Sequence, residues 1–227
     1  MRGLDLQQRF RFVALSVSLL TMLSACASSG GGKPAAINGP VALSATAAEQ
    51  AAAQPVMIPV EAQQQFDRAL AALKAGQNEA AKQQFQQLAE AYPGFAGPLI
   101  NLGLLELKAA RYDAAVELFK RAAERDAKSA AAGNYLGVSY RYLGRFKDAE
   151  AAYLSAIAAD ATYAAAHLNL GVLYDLYLQQ PERALPEYER YQELLDTPDA
   201  KVASWIKELN TRLNADKKAR TASGAQP

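Results

Sequence analysis

The chain has 227 residues, with 24 lysines and arginines against 23 aspartates and glutamates, one histidine and one cysteine. This balance gives no basic excess for nucleic acid or for a polybasic membrane surface. A single cysteine excludes an intrachain disulfide framework.

The chain starts with Arg2, Arg9 and Arg11, followed by the uncharged run from Phe12 to Ala25. A positive start, a short apolar middle and small residues at the end make the layout of a secretory signal peptide, residues 1–25. As a helix the run would span roughly 21 Å, short of the roughly 30 Å hydrocarbon core, so it does not predict a permanent span. Leu23-Ser24-Ala25-Cys26 closes it and resembles the lipobox of bacterial lipoproteins. The other reading of these residues is an ordinary signal peptide with a coincidental cysteine. The resemblance implies that the Cys26 sulfur is diacylglycerated, that cleavage makes Cys26 the new N-terminus, and that its amine is acylated. Stable anchoring needs about two lipid signals, which two or three acyl chains supply. Ala27 follows where inner-membrane retention in many Gram-negative lipoproteins uses Asp. That favours the inner leaflet of the outer membrane, with the protein facing the periplasm. Processing would remove three arginines and one aspartate, leaving a net charge near −1.

Residues 26–61 follow as a tether. Between 27 and 60 small residues, Gly and Pro dominate and aromatics are absent, a composition that predicts disorder. Its root-mean-square reach is about 30–35 Å, enough to hold a folded part off a bilayer. The apolar piece 56–60, VMIPV, reads either as a docking segment or as loose packing on the first helix.

The chain then repeats. Gly103, Gly137 and Gly171 stand 34 residues apart; Ala81, Ala115 and Ala149 keep that period, with Ala184 35 further on. Phe85, Phe119, Tyr153 and Tyr188 follow the same course, and YLGVSY (135–140) returns as NLGVLY (169–174). This pattern resembles the tetratricopeptide repeat (TPR) family, with Leu-Gly-x-x-Tyr in a first helix and Ala-x-x-x-Phe in a second. The units fall at 62–95, 96–129, 130–163 and 164–198. The first has Ala69 in place of Gly, the second has Glu106 in place of tyrosine, and the fourth carries one extra residue. The resemblance implies an all-α solenoid of about four helix-turn-helix repeats. Glycine in a helix costs about 1 kcal/mol against alanine, so its recurrence points to close helix packing. Each pair leaves apolar surface that only stacking covers.

In the fourth unit Pro181 suits a helix start, while Pro186 predicts a bend or a delayed start. Val202, Trp205, Ile206 and Leu209 share one helical face, which predicts a capping helix over 199–214 with Trp205 as a packing residue. Residues 215–227 read as a frayed tail.

No catalytic motif, phosphate loop or metal motif is present, so neither an enzyme nor a cofactor is expected. His167 has no ligand-spaced partner and reads as a packing or rim histidine; Glu182, Glu187 and Glu189 read as a solvated face. Family resemblance instead points to the concave surface lined by the first helices. It puts Ile100, Asn101, Leu104 and Lys108 there from the second unit, and Asn134, Tyr135, Val138, Arg141 and Tyr142 from the third. The fourth contributes Leu168, Asn169, Val172 and Asp175. Asn101 and Asn169 hold the same repeat position with Tyr135 between them, like an interrupted asparagine ladder. Their amides can pair with a peptide backbone or with neighbouring helices. The basic carboxylate clamp of chaperone-binding TPRs is not reproduced. The expected function is a lipid-anchored scaffold that binds envelope proteins or peptide segments in its groove, with no nucleic acid involved. The alternative is a structural spacer or self-associating module of a pilus, secretion or energised transport assembly. The oligomeric state is left open.

Overall fold

A computed structural model describes residues 57–222; Cys26, the expected signal peptide and most of the expected tether lie outside them. Helix pairs follow one another along the chain. They are α1 (Val60–Lys74) with α2 (Asn78–Ala91), and α3 (Ala96–Lys108) with α4 (Tyr112–Arg125). Next come α5 (Ala130–Tyr142) with α6 (Phe146–Ala159), and α7 (Ala164–Val172) with α8 (Pro181–Glu193). A final helix, α9 (Ala200–Ala222), packs on α8. The architecture is the all-α solenoid with a capping helix that the sequence predicts.

The repeated residues explain the pairing. A β-carbon at Gly103, Gly137 or Gly171 would lie 2.6, 2.5 or 2.6 Å from the ring of Phe119, Tyr153 or Tyr188. The aromatic of each second helix therefore rests directly on the glycine of its own first helix. Ala115, Ala149 and Ala184 are fully buried beside these rings. The aromatics also reach onward: Phe119 stacks on Tyr135 of the following unit, centroids 5.5 Å apart. Neighbouring units thus share their core clusters, one from Ala62 to Ala132 and another from Val116 onward that Val202 and Leu209 of α9 continue, with Trp205 tilted against Tyr188 at 5.5 Å.

Each turn between paired helices needs one residue at positive φ. Gly76 and Gly144 supply it at +78° and +72°, while Ala110 and Gln179 adopt +56° and +53°. The junctions after the second and third pairs reuse an aspartate. Asp126 accepts from the Lys128 amide and Asp160 from the Thr162 amide. Asp199 caps α9 by accepting from Lys201 and Val202, and the Gln192 side chain grips the Asp199 backbone on both sides.

Four details depart from the sequence reading. The first repeat starts before 62: α1 begins at Val60, and Ile58 is half-buried against it while Met57 and Val60 stay exposed. The extra residue of the fourth unit is absorbed by a π-helical turn, Leu173–Tyr177, that extends α7. Pro186 does not delay α8, which starts at Pro181; the Glu182 carbonyl left without its helical donor lies on an exposed stretch where water replaces the bond. Finally, α9 runs on to Ala222 instead of ending at 214, because 214–222 holds no Gly or Pro and several good helix formers. No helix of the described residues is long and apolar enough to cross a membrane.

Candidate functional site

The first helices α3, α5 and α7 pack side by side, so equivalent positions form rows across the repeats. Ile100, Asn101, Leu104, Tyr135, Val138, Leu168, Asn169 and Val172 are all half-buried, and Lys108 is exposed. The row is a mixed polar and apolar strip of the kind a peptide can lie on. Two residues of the expected groove are otherwise engaged. Asn134 is only 2% exposed and accepts a hydrogen bond from the Asn169 amide at 2.9 Å, so it positions Asn169 and is not itself a contact surface. Asp175 accepts from Arg212 of α9 at 2.7 Å and serves to dock the cap. The Asn101 amide donates to the Gly97 carbonyl of its own helix at 3.0 Å. Its oxygen and second N–H remain for another partner.

At the C-terminal ends of these helices sits an aromatic and cationic cluster. The Arg141 guanidinium lies 5.2 Å from the Tyr142 ring centroid and 5.3 Å from that of Tyr177. It donates to the Tyr177 hydroxyl at 3.0 Å and to the Tyr153 hydroxyl at 3.4 Å. Tyr142 stacks on Tyr112, centroids 4.8 Å apart and planes 1° from parallel, and Phe146 tilts against Tyr177. Burial pushes the Tyr153 phenol up, while the Arg141 hydrogen bond and charge oppose the shift. Tyr112 and Phe146, which the sequence reading does not single out, stand 34 residues apart and so were open to it. Tyr177 and Leu176 were not, because the π-helical turn shifts them out of register.

Polar pairs brace the repeats from behind. Glu106, 7% exposed, is held between Lys82 at 2.8 Å and Arg111. The Arg111 hydrogen bond holds its carboxyl below the usual carboxylate range, burial opposes this, and Lys82 assists. Where the next units have the expected tyrosines, an arginine still covers them: Arg145 lies over Tyr140 and Arg183 over Tyr174, at 4.5 and 4.0 Å. Burial, then the hydrogen bond to Glu150, pushes the Tyr174 phenol up. His167 is 7% exposed, with Nδ1 2.7 Å from Glu187 and Nε2 3.3 Å from the Ala161 carbonyl. It is a packing histidine with an acidic partner that the fold brings across from α8, so Glu187 is not part of a solvated face. A shallow depression between α1 and α2 is lined by Gln65, Arg68, Gln84, Gln87 and Leu88, away from this strip. Among the described residues no cluster of three or more His, Cys, Asp or Glu could hold a metal.

The sequence profile of the tetratricopeptide repeat family matches residues 66–132, 100–164 and 136–197, together more than half of the chain. The chain is a TPR protein. A structure of PilF from Pseudomonas aeruginosa is similar over 73% of this TPR protein and 77% of its own chain, at TM-score 0.60 and 22% identity. A double mutant of RS-1 MamA is similar over 73% and 92%, at 0.58 and 21%. A thermophilic TPR protein of Thermus thermophilus is similar over 67% and 82%, at 0.55 and 22%. At such identities the likeness concerns the fold. No curated protein matches the chain. Membership makes this TPR protein a protein–protein interaction scaffold, in a family whose members are typically not enzymes.

Proposed function

We propose that the protein is a lipid-anchored adaptor at the bacterial outer membrane, facing the periplasm, that binds segments of envelope proteins along the strip of its first helices. The observation that carries this reading is the row Asn101, Tyr135 and Asn169. These three half-buried side chains come from successive first helices, and spare hydrogen-bonding capacity on the amides alternates with aromatic surface. Such a row holds an extended backbone without reading every side chain. The signal-peptide layout and the Leu-Ser-Ala-Cys stretch support the anchor. Anchoring confines the groove to one surface and raises the local concentration of what it binds. Pairing through an end of the solenoid is disfavoured by polar ends: a glutamine-lined depression on the first pair and a charged, exposed extension of α9.

The experiment is photo-crosslinking in living cells from Leu104 on the strip and from Ser155 on an exposed face of α6. A discrete adduct from Leu104 alone is the expected result. Adducts from Ser155 alone, or only to a second copy, would move recognition elsewhere and make the spacer reading lead.

A further inference from the structure

We infer that the edge of the groove where the first helices end takes an acidic segment of the partner protein, a carboxylate meeting Arg141 while an apolar side chain lies on the Tyr142 and Tyr177 rings. The inference deepens the groove reading and rests on it. Its starting point is the charge of Arg141. This half-buried guanidinium is surrounded by three phenols, from Tyr142, Tyr153 and Tyr177, and it forms no ion pair with a carboxylate among the described residues. Phenols satisfy two of its five N–H groups and none of its charge. Asp175, which holds the same position in the next repeat, is committed to Arg212. A planar guanidinium already held by flanking rings is preorganised to take a carboxylate.

The surroundings agree in sign and in character. Lys74 and Lys108 end α1 and α3 as Arg141 nearly ends α5, and neither lysine takes part in an ion pair among the described residues. A lysine in a last helical turn also answers the helix dipole, so the lysines alone would carry little; with Arg141 they make a row of one sign. The acids near this edge begin the second helices: Glu79, Asp113, Asp148 and Glu182, of which Asp148 is paired with Arg145. Tyr142, Leu176 and Tyr177 are 55, 65 and 41% exposed, half of the large apolar side chains left open among the described residues. Cations beside open aromatic surface suit a segment that mixes carboxylates with an apolar residue. The chain's own tether does not fit, since residues 26–61 hold only Glu49 and Glu61.

The test is fluorescence anisotropy with the purified full-length chain and a labelled, C-terminally amidated peptide of sequence GEEFEEG, against its glutamine counterpart GQQFQQG. The acidic peptide should bind about tenfold more tightly than the glutamine one, with affinity falling as salt rises. Arg141→Met and Tyr177→Ala should each cost about tenfold, and Lys147→Ala on α6 should cost nothing. Equal binding of both peptides, or no loss in Arg141→Met, overturns the inference. Should Arg141→Met lower helicity, Arg141→Lys and Tyr142→Ala decide in its place. A Leu104 crosslink that persists unchanged in Arg141→Met leaves the groove reading standing and rejects the acidic segment; its loss at unchanged helicity supports both, and where helicity falls the Tyr142→Ala result decides. A dimer in sedimentation that Arg141→Met dissolves overturns it in favour of a second copy, whose acidic α8 would be the occupant.

Discussion

Gly137 and the Tyr153 ring compete for one volume: a β-carbon on residue 137 would lie 2.5 Å from the ring. Overpacking a core costs about 1–3 kcal/mol, and the better helix propensity of alanine returns about 1 kcal/mol. Gly137→Ala should therefore destabilise by up to about 2 kcal/mol in urea unfolding. In a Tyr153→Leu background the ring is gone and the penalty should vanish, so a double-mutant cycle reads the coupling directly. An additive cycle would mean that the close approach is not what the glycine is for.

Ala110 occupies the left-handed turn that Gly76 and Gly144 fill in the neighbouring repeats. The left-handed conformation costs an L-residue about 1–2 kcal/mol, while glycine adds unfolded-state entropy of about 0.4–1 kcal/mol. Ala110→Gly should stabilise by about 0.5–1 kcal/mol, seen as a higher urea midpoint at unchanged slope. A lower midpoint would show that the turn is relaxed as it stands.

The repeat period was legible because the same contact is rebuilt in the second, third and fourth units: Ala115 with Phe119 on Gly103, Ala149 with Tyr153 on Gly137, Ala184 with Tyr188 on Gly171. What periodicity misses is whatever one repeat does alone. The π-helical turn at Leu173–Tyr177 changes the facing of Leu176 and Tyr177, and no propensity in DLY announces it. Asn134 reads as a groove residue by position, yet the Asn169 amide covers it. Glu106 reads as a departure from the expected tyrosine, and only the fold brings Lys82 from the preceding repeat to meet it.

That buried carboxylate has a pH signature. Its folded-state pKa is depressed, first by the Arg111 bond, so its contribution is complete above the unfolded value of about 4.3. The contribution is lost as pH falls through the folded value. Stability of the wild type should drop more steeply below about pH 4.3 than that of Glu106→Gln, which has no such proton to bind. Parallel pH profiles would remove the ion triad from the account. Glu106→Tyr, which restores the residue of the next two units, should flatten the profile with little loss at pH 7, because the cations it leaves behind, Lys82 and Arg111, are 29 and 57% exposed and water can solvate them.

The proposed anchor makes its own prediction. Cys26→Ser should leave the thermal unfolding of the repeats unchanged and move the protein from the membrane to the soluble fraction, with loss of labelling by radioactive palmitate. A serine variant that stays in the membrane fraction, processed like the wild type, would reject the lipid.

Asn101 and Asn169 separate stability from recognition, because their amides are spent differently. Removing Asn169 strands the Asn134 oxygen, which sits on a residue only 2% exposed. An unsatisfied buried acceptor costs about 1–3 kcal/mol, so Asn169→Ala should lower stability by about 1–2 kcal/mol. Asn101 bonds the Gly97 carbonyl of its own helix, a bond that water or the helix itself can replace, so Asn101→Ala should stay within about 0.5 kcal/mol. A loss of partner capture in Asn101→Ala at unchanged urea midpoint then belongs to recognition, with no folding term to confuse it. Full capture by Asn101→Ala would take this amide out of the binding row and leave Tyr135 and the Arg141 edge to carry it.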